Sequence, residues 1–494
     1  MSGPDPAARA LSWVQATLGD RPMPPTAVVI GIGDGAVLTA LNRMRSGVRI
    51  LVVEPDEAAA AAFMASEGYR RRAADERLLC LGGPDYRGAD QAWRLYPANP
   101  DDHLLLISPE AVRDRPRVRA AAHVVGKILF GARANAEARR QFAPRYLANS
   151  LANLPSIARG SSVAALSGAF AGRPVVVVGA GPSLDTALPD LVVLQDRAIV
   201  IATDTALRPL LHAGVAPHLV VGADPSARNA RHFFGLPPCP RTWLVAESAL
   251  DPDAAAIFAG RTFWFRLAHH DPWPWYQELG IDAAHVDMWG SVLTAAFQIA
   301  LLGGGDPIAF IGADLAYTGG RPYARGTTYE FDWAYTAALG VGLDEAWRQQ
   351  IALTERVTAA SVAGTPVETS LPLQVFRDWL AARVPACGRR VLNATGGGIL
   401  AGDGITQTTL RAALGAAPPL TPPAWARVAT TTTPLARLAE AVDEARRAVR
   451  SRPATDALVR AWTEFSGGVF DGAAVDGALA RAEAALRHDG QVNR

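Results

Sequence analysis

Apolar residues along this chain fall into short unbroken blocks separated by turn chemistry. Ala27–Ile30, Arg49–Val53, Leu78–Leu81 and His103–Ile107 are each rich in aliphatic residues and each meet a Gly or Pro within two positions of their end, which predicts four strands. The helix-length segment Ala36–Arg45 lies between the first two. Strand, helix, strand in that order implies right-handed parallel crossovers and a doubly wound first domain. Phe142–Leu154 reads as a helix, and a second series then opens with Val175–Val178, an all-apolar run suited to a strand covered on both faces. Ala198–Ala202, Leu219–Gly222, Thr242–Ala246 and Ile308–Ile311 continue it. Val292, Ala296, Ile299 and Leu302 recur at near-helical spacing, so a helix should lay one apolar stripe on that sheet.

Beyond residue 415 the pattern changes. Gly415–Leu435 holds five Pro and five Thr, the composition of a linker or an extended strap. Leu435, Leu438, Val442, Ala445 and Val449 then repeat at 3-4-3-4 spacing, followed by Trp462 and Leu479, which predicts a C-terminal helical unit packed on the domain before it. The expected fold class is α/β: two Rossmann-like parallel-sheet domains, residues 1–155 and 160–415, and a linker with helices over 416–494.

Composition narrows the function. With 494 residues and 49% hydrophobic content the chain can bury a large core. The 48 basic and 47 acidic residues leave a net charge of +1, so no global field favours a nucleic-acid or membrane partner. Cys80, Cys239 and Cys387 are more than a hundred residues apart, a spacing that offers neither a disulfide framework nor a zinc site, and no metal ligand set is expected. No signal peptide or long apolar span is apparent, and a cytoplasmic location is expected.

Two glycine turns follow predicted strands. Gly31-Ile32-Gly33-Asp34-Gly35, with Glu54 at the end of the next strand, has the form of an adenosine or S-adenosylmethionine pocket, or of a scaffold turn with no catalytic task. Asp85, Ser108 and Glu110 are the further ligands that domain could offer. The second turn, Gly179-Ala180-Gly181-Pro182-Ser183-Leu184-Asp185, is the better anion site: Pro182 presets the helix and Ser183 can cap it or donate to a phosphate. No Gly-Lys-Ser/Thr follows, so it is not a P-loop. Thr203-Asp204, Asp224 and Asp314 each stand at the end of a predicted strand, where an open parallel sheet gathers its ligand contacts. They could bind sugar hydroxyls, act as a base or hold a divalent cation. His269 and His270 precede the aromatic loop Trp273–Tyr276, which could cover a sugar or base while a His takes a proton.

The segments 179–185, 203–211, 213–217 and 224–225 resemble the catalytic domain shared by motility accessory factor (Maf) flagellin glycosyltransferases and the archaeal 6-hydroxymethylpterin diphosphokinases. Gly290-Ser291-Val292, Ile311–Thr318 and Leu392-Asn393-Ala394-Thr395-Gly396-Gly397-Gly398 are similar to blocks of the Maf group, as is the N-terminal glycine turn. The chain departs from the Maf pattern with Tyr323-Ala324-Arg325-Gly326 where a His is usual and with Gly396 where Glu is usual. The resemblance implies transfer of a nonulosonic, sialic-acid-like sugar from its CMP-activated form to Ser/Thr of flagellin or a related surface acceptor. CMP would then meet Gly179, Gly181, Pro182, Ser183 and Leu184. Thr203, Asp204, Asp224, Ser291, Asn393 and Thr395 would line the rest of the nucleotide and sugar site, with Asp314, His269 or His270 as base and Arg208, Arg228 or Arg325 for the sugar carboxylate. The alternatives are ATP-dependent diphosphate transfer to a hydroxymethyl pterin, which would call for Mg²⁺, and a non-catalytic flagellin-binding scaffold.

Overall fold

Short blocks that are apolar throughout and bounded by turn residues suit strands buried on both faces, and the order in which they pair decides where a ligand could enter. The computed structural model describes residues 5–75, 77–83, 92, 102–109, 111–267, 272–421, 423–451, 456–466 and 470–492. His269, His270, Asp85 and Glu110 therefore lie outside the described residues. The chain divides into two units, Met1–Gln141 and Phe142–Arg494.

In the first unit, β1 (Thr26–Ile30), β2 (Arg49–Glu54), β3 (Leu78–Gly82) and β4 (His103–Ile107) form a parallel sheet in the order β3-β2-β1-β4. Val29, Leu41 and Val52 are fully buried in a cluster with Leu104, and Val28 and Leu51 in another with Ala121 and Val125. The Gly31 turn is closed from within. Glu54 is buried, and its two carboxylate oxygens accept from the backbone N–H of Ile32 at 2.6 Å and of Asp56 at 2.8 Å. The acid expected to meet a ribose thus holds the turn.

Among the described residues the second unit contains a sheet of nine strands. They are β5 (Ser161–Ser162), β6 (Val175–Val178), β7 (Ile199–Thr203), β8 (Leu219–Gly222), β9 (Trp243–Glu247), β10 (Thr262–Phe265), β11 (Ile308–Ile311), β14 (Val391–Asn393) and β15 (Ile405–Gln407). The intervening β12 (Arg356–Ala360) and β13 (Pro366–Ser370) form a separate antiparallel hairpin. The large sheet has the order β15-β14-β11-β6-β7-β8-β9-β10-β5, and every pair in it is parallel. From β6 the chain winds one way through β7 to β10 and the other way through β11 to β15. A parallel sheet wound in both directions opens a crevice at the carboxyl ends of the strands on either side of the reversal.

The second unit begins at Phe142, ahead of the boundary suggested by the sequence. Leu147, Leu151, Leu154 and Ile157 of the helix Arg115–Arg159 are fully buried in its core with Trp264 and Tyr276. Residues 416–494 share that core. Leu438, Val442, Trp462 and Leu479, from the helices Leu435–Ser451, Ala457–Phe465 and Gly472–Val492, are buried in the same cluster. The Thr-rich segment is a strap: Val428 accepts from the Ser162 N–H at 2.7 Å, and the Thr430 hydroxyl donates to Ile157 at 2.5 Å. Among the described residues no helix is long and apolar enough to cross a membrane.

At the end of β9, Glu247 is wholly buried. Its oxygens accept from the Ser248 hydroxyl and the Ala249 N–H, each at 2.7 Å. Burial pushes its carboxyl up to about 7, against hydrogen bonds from Tyr146, Ser248 and Ala249. A carboxyl raised in the folded state stabilises most below its unfolded value and loses that contribution as pH rises through the folded value. Glu247→Gln removes the ionisation and keeps the shape. The variant should therefore gain on the wild type by on the order of 2 kcal/mol between pH 5 and pH 8. Urea melts of both proteins at the two pH values test this, and a constant difference would refute it.

Candidate functional site

Among the described residues, most of the sequence-predicted positions of the second unit fall in two groups joined by one loop, with Ser291 apart from both. The first surrounds the elbow between β6 and the helix Leu184–Leu194. Gly181 must be glycine because a Cβ there would run into the Asp314 carboxylate and the Gly312 carbonyl. Asp314, just past β11, is 1% exposed. Its Oδ2 accepts from the Ser183 hydroxyl at 2.6 Å, and both its oxygens stand 3.3 Å from the Ser183 N–H. Burial raises the Asp314 carboxyl above the usual carboxylate range, opposed by the bond from Ser183.

The anion that the start of this helix attracts is thus the chain's own Asp314. The Gly181 N–H donates to Gly312 at 2.8 Å and the Leu184 N–H to Gly181 at 3.0 Å, so those amides too are engaged. Leu315 follows with φ of 51°, a left-handed conformation that costs a leucine on the order of 1 kcal/mol or more. It is held there by the Thr369 hydroxyl on its carbonyl at 2.7 Å. Thr395 accepts from the Ala313 N–H at 3.3 Å, and Asn393 ties its own loop through Leu400 and the Thr395 N–H. Ser291 caps the helix Val292–Leu302 through the Leu293 N–H. Thr203 donates to Val178 at 3.3 Å and stitches β7 to β6. Gly179 donates its N–H to Ile311 at 2.9 Å, and the Pro182 carbonyl accepts from Arg321 at 3.3 Å.

The second group lies at the ends of β7 and β8. Asp204, 2% exposed, accepts from the Asn229 amide at 2.7 Å, the Thr205 N–H at 2.7 Å and the Thr205 hydroxyl at 3.2 Å. Burial pushes its carboxyl up to about 6, opposed by the Asn229 and Thr205 bonds and reinforced by the neighbouring charge of Asp224. Asp224 is half-buried; one oxygen accepts from the Ser226 N–H at 2.7 Å, and the other makes no hydrogen bond among the described residues. His232 lies 3.4 Å from the Thr205 hydroxyl by Nε2 and 2.6 Å from the Thr328 hydroxyl by Nδ1. Burial drives it down to about 4, so the imidazole is neutral at physiological pH. Tyr323 and Tyr329 stack at 4.3 Å, and the Arg228 guanidinium lies 5.5 Å over the Tyr329 ring. Tyr323 opens the Tyr323–Gly326 block, and it reaches this group because the Ala324 N–H beside it donates to Ala180 of the elbow at 2.8 Å.

Of the three arginines offered to a donor carboxylate, Arg208 is bound to the carbonyls of Phe234 and Gly235. Arg228 is exposed and 3.4 Å from Asp332. Arg325 borders the elbow, its N–H on Asp185 at 2.9 Å and its guanidinium beside Trp347. Sequence reasoning passed over Asn229, His232, Thr328 and Tyr329. Their one signal was position, since Asn229 and His232 closely follow Asp224, and Tyr329 follows Tyr323 by six residues. Among the described residues no group of three or more His, Cys, Asp and Glu side chains could hold a metal ion.

This arrangement has a wet rim and a dry floor. Asp224, Arg228 and the tyrosine pair can meet a polar substrate, while Asp204, Asn229 and His232 keep the rim in place from below. A half-buried carboxylate with a spare oxygen can take a proton from a hydroxyl. An exposed guanidinium on an aromatic face can meet an anion.

Residues 148–320 match the family model described as 6-hydroxymethylpterin diphosphokinase MptE-like. No curated protein compared with the chain matches it. Among solved structures the chain is similar to that of a MAf glycosyltransferase from Magnetospirillum magneticum AMB-1, at 16% identity and a TM-score of 0.48, over 98% of this chain and 78% of that one. The stretch matched by that family model holds the elbow, Asp204, Asp224 and Asp314.

Proposed function

We propose that this protein is a glycosyltransferase that moves a nonulosonic sugar from its CMP donor to a Ser or Thr hydroxyl of flagellin or a related surface protein. The observation that carries the reading is the rim of the Asp204 crevice: an accessible carboxylate, Asp224, and an accessible guanidinium, Arg228, flank two stacked tyrosines at the ends of β7 and β8. Asp224 takes the proton of the acceptor hydroxyl as that oxygen attacks the anomeric carbon, and CMP leaves with the bonding electrons. Arg228 faces the sugar carboxylate, and the tyrosine rings cover an apolar sugar face. Asp314 positions the elbow and does not touch the reacting atoms.

A second reading is favoured by the family match: diphosphate transfer from ATP to a hydroxymethyl pterin. Mg²⁺ would then neutralise charge on the phosphates. Asp224 is the carboxylate able to hold it, since Asp204 already spends both oxygens on Thr205 and Asn229.

Ligand-linked stabilisation separates the two. A thermal shift of several degrees with CMP that survives EDTA is expected for the first. A shift seen only with ATP, the pterin and Mg²⁺ would replace it with the second. Stabilisation by none of these ligands, together with retained binding to flagellin, would leave the scaffold reading.

A further inference from the structure

With Ser183 committed to Asp314 and the Gly181 and Leu184 N–H groups already bonded, these elbow groups are not offered to a phosphate. A feature beside the elbow offers other groups. Gly319, Gly320, Arg321, Arg325, Asp344 and Arg348 line a cavity of about 320 Å³, within the range of small-molecule sites. It adjoins the elbow: Arg321 bonds Asp185 at 2.5 Å and the Pro182 carbonyl at 3.3 Å, and the Arg325 N–H donates to Asp185 at 2.9 Å.

Two of the three guanidinium groups are held before any ligand arrives. Arg321 and Arg325 stand 5.5 and 5.6 Å from the ring of Trp347, which is wholly buried. Stacking on an indole restrains a guanidinium; Arg321 already donates to Asp185 and the Pro182 carbonyl and adds fixed positive charge, whereas Arg325 has its N–H edge available to fork onto an oxyanion. The Trp347 N–H itself has no hydrogen-bond partner among the described residues. Arg348 bonds Glu345 through its Nε edge, at 3.0 and 2.7 Å. The lining carboxylate, Asp344, is 3.8 Å from Arg325 with both side chains more than half exposed, a pairing that water makes weak and that an incoming anion can replace. At Gly319 and Gly320, with φ of 63° and 71°, nothing lies within 4 Å of where a side chain would start, so a ligand can approach the backbone itself.

We propose that this arginine cavity is a binding site for a phosphate-class oxyanion, the phosphate of a nucleotide; that the nucleotide is CMP rests on the function proposed above. Isothermal titration of the full chain with CMP, cytidine and inorganic phosphate tests it, comparing wild type with Arg325→Ala and Arg348→Ala combined. Both side chains are about 60% exposed, so the double variant should fold, and its melt confirms that. Support would be CMP and phosphate bound about tenfold or more weakly by the variant, with any cytidine affinity unchanged. If the wild type binds phosphate but not CMP, and the variant loses phosphate, the site stands and the CMP reading falls. If CMP binding is untouched in the variant yet lost in Asp224→Asn, the donor sits wholly in the crevice and the site is wrong. Wild type that binds neither CMP nor phosphate also overturns it.

Discussion

Asp224→Asn should lower the rate of sugar transfer by a factor of roughly 10² to 10⁴, the usual contribution of a general base, while the variant melts within about 1 kcal/mol of the wild type. Among the described residues its one hydrogen bond is from the Ser226 N–H to Oδ1, and an asparagine carbonyl can accept that bond equally well. What the amide cannot do is take the acceptor's proton with the other oxygen. Initial rates with a CMP-activated nonulosonic sugar and a flagellin acceptor measure this, beside a denaturant melt on the same preparation. Transfer at the wild-type rate would remove Asp224 from the mechanism. A loss of rate with a collapsed melt would mean that Asp224 supports the turn and little else.

The second large effect is on stability. Asp314→Ala should cost about 2–4 kcal/mol, because it strands the Ser183 hydroxyl and N–H in a buried place and leaves a small void between β6 and β11. Asp314→Asn should recover most of that, since a carboxamide still offers an oxygen to Ser183. The pH dependence carries a sign. Burial raises the Asp314 carboxyl in the folded protein, so the wild type loses this residue's contribution as pH rises and the Asn variant does not. Activity then decides the role of the residue. The sequence placed Asp314 among the candidate bases; its burial against Ser183 supports the positioning role proposed above. Asn at 314 should keep kcat near the wild type if it positions, and should abolish turnover with an unchanged melt if it is the base.

The two residues differ in a way that no spacing along the chain reveals. Asp204, Asp224 and Asp314 all follow apolar strand blocks, and each could be placed at a carboxyl strand end from periodicity alone. Whether a strand-end carboxylate faces solvent or its neighbour's backbone depends on which strands pair. β11 pairs beside β6, so Asp314 falls onto the elbow. β8 pairs beside β7, so Asp224 comes near Asp204. Glu54 repeats the point in the first unit, where its side chain closes the glycine turn that it was expected to serve.

The linear order of residues was enough to mark β1–β4, β6–β9 and β11, the two glycine turns and the helical tail, though not β10 or the short strands β5, β14 and β15, because each marked feature depends on local backbone preference and on apolar periodicity within a dozen residues. The pairing order of the sheet, the seating of Asp314 on Ser183 and the meeting of Tyr329 with His232 join residues far apart in the chain. Such contacts are selected by close packing and by the need of every buried polar group for a partner, and those demands exist only once the chain has folded.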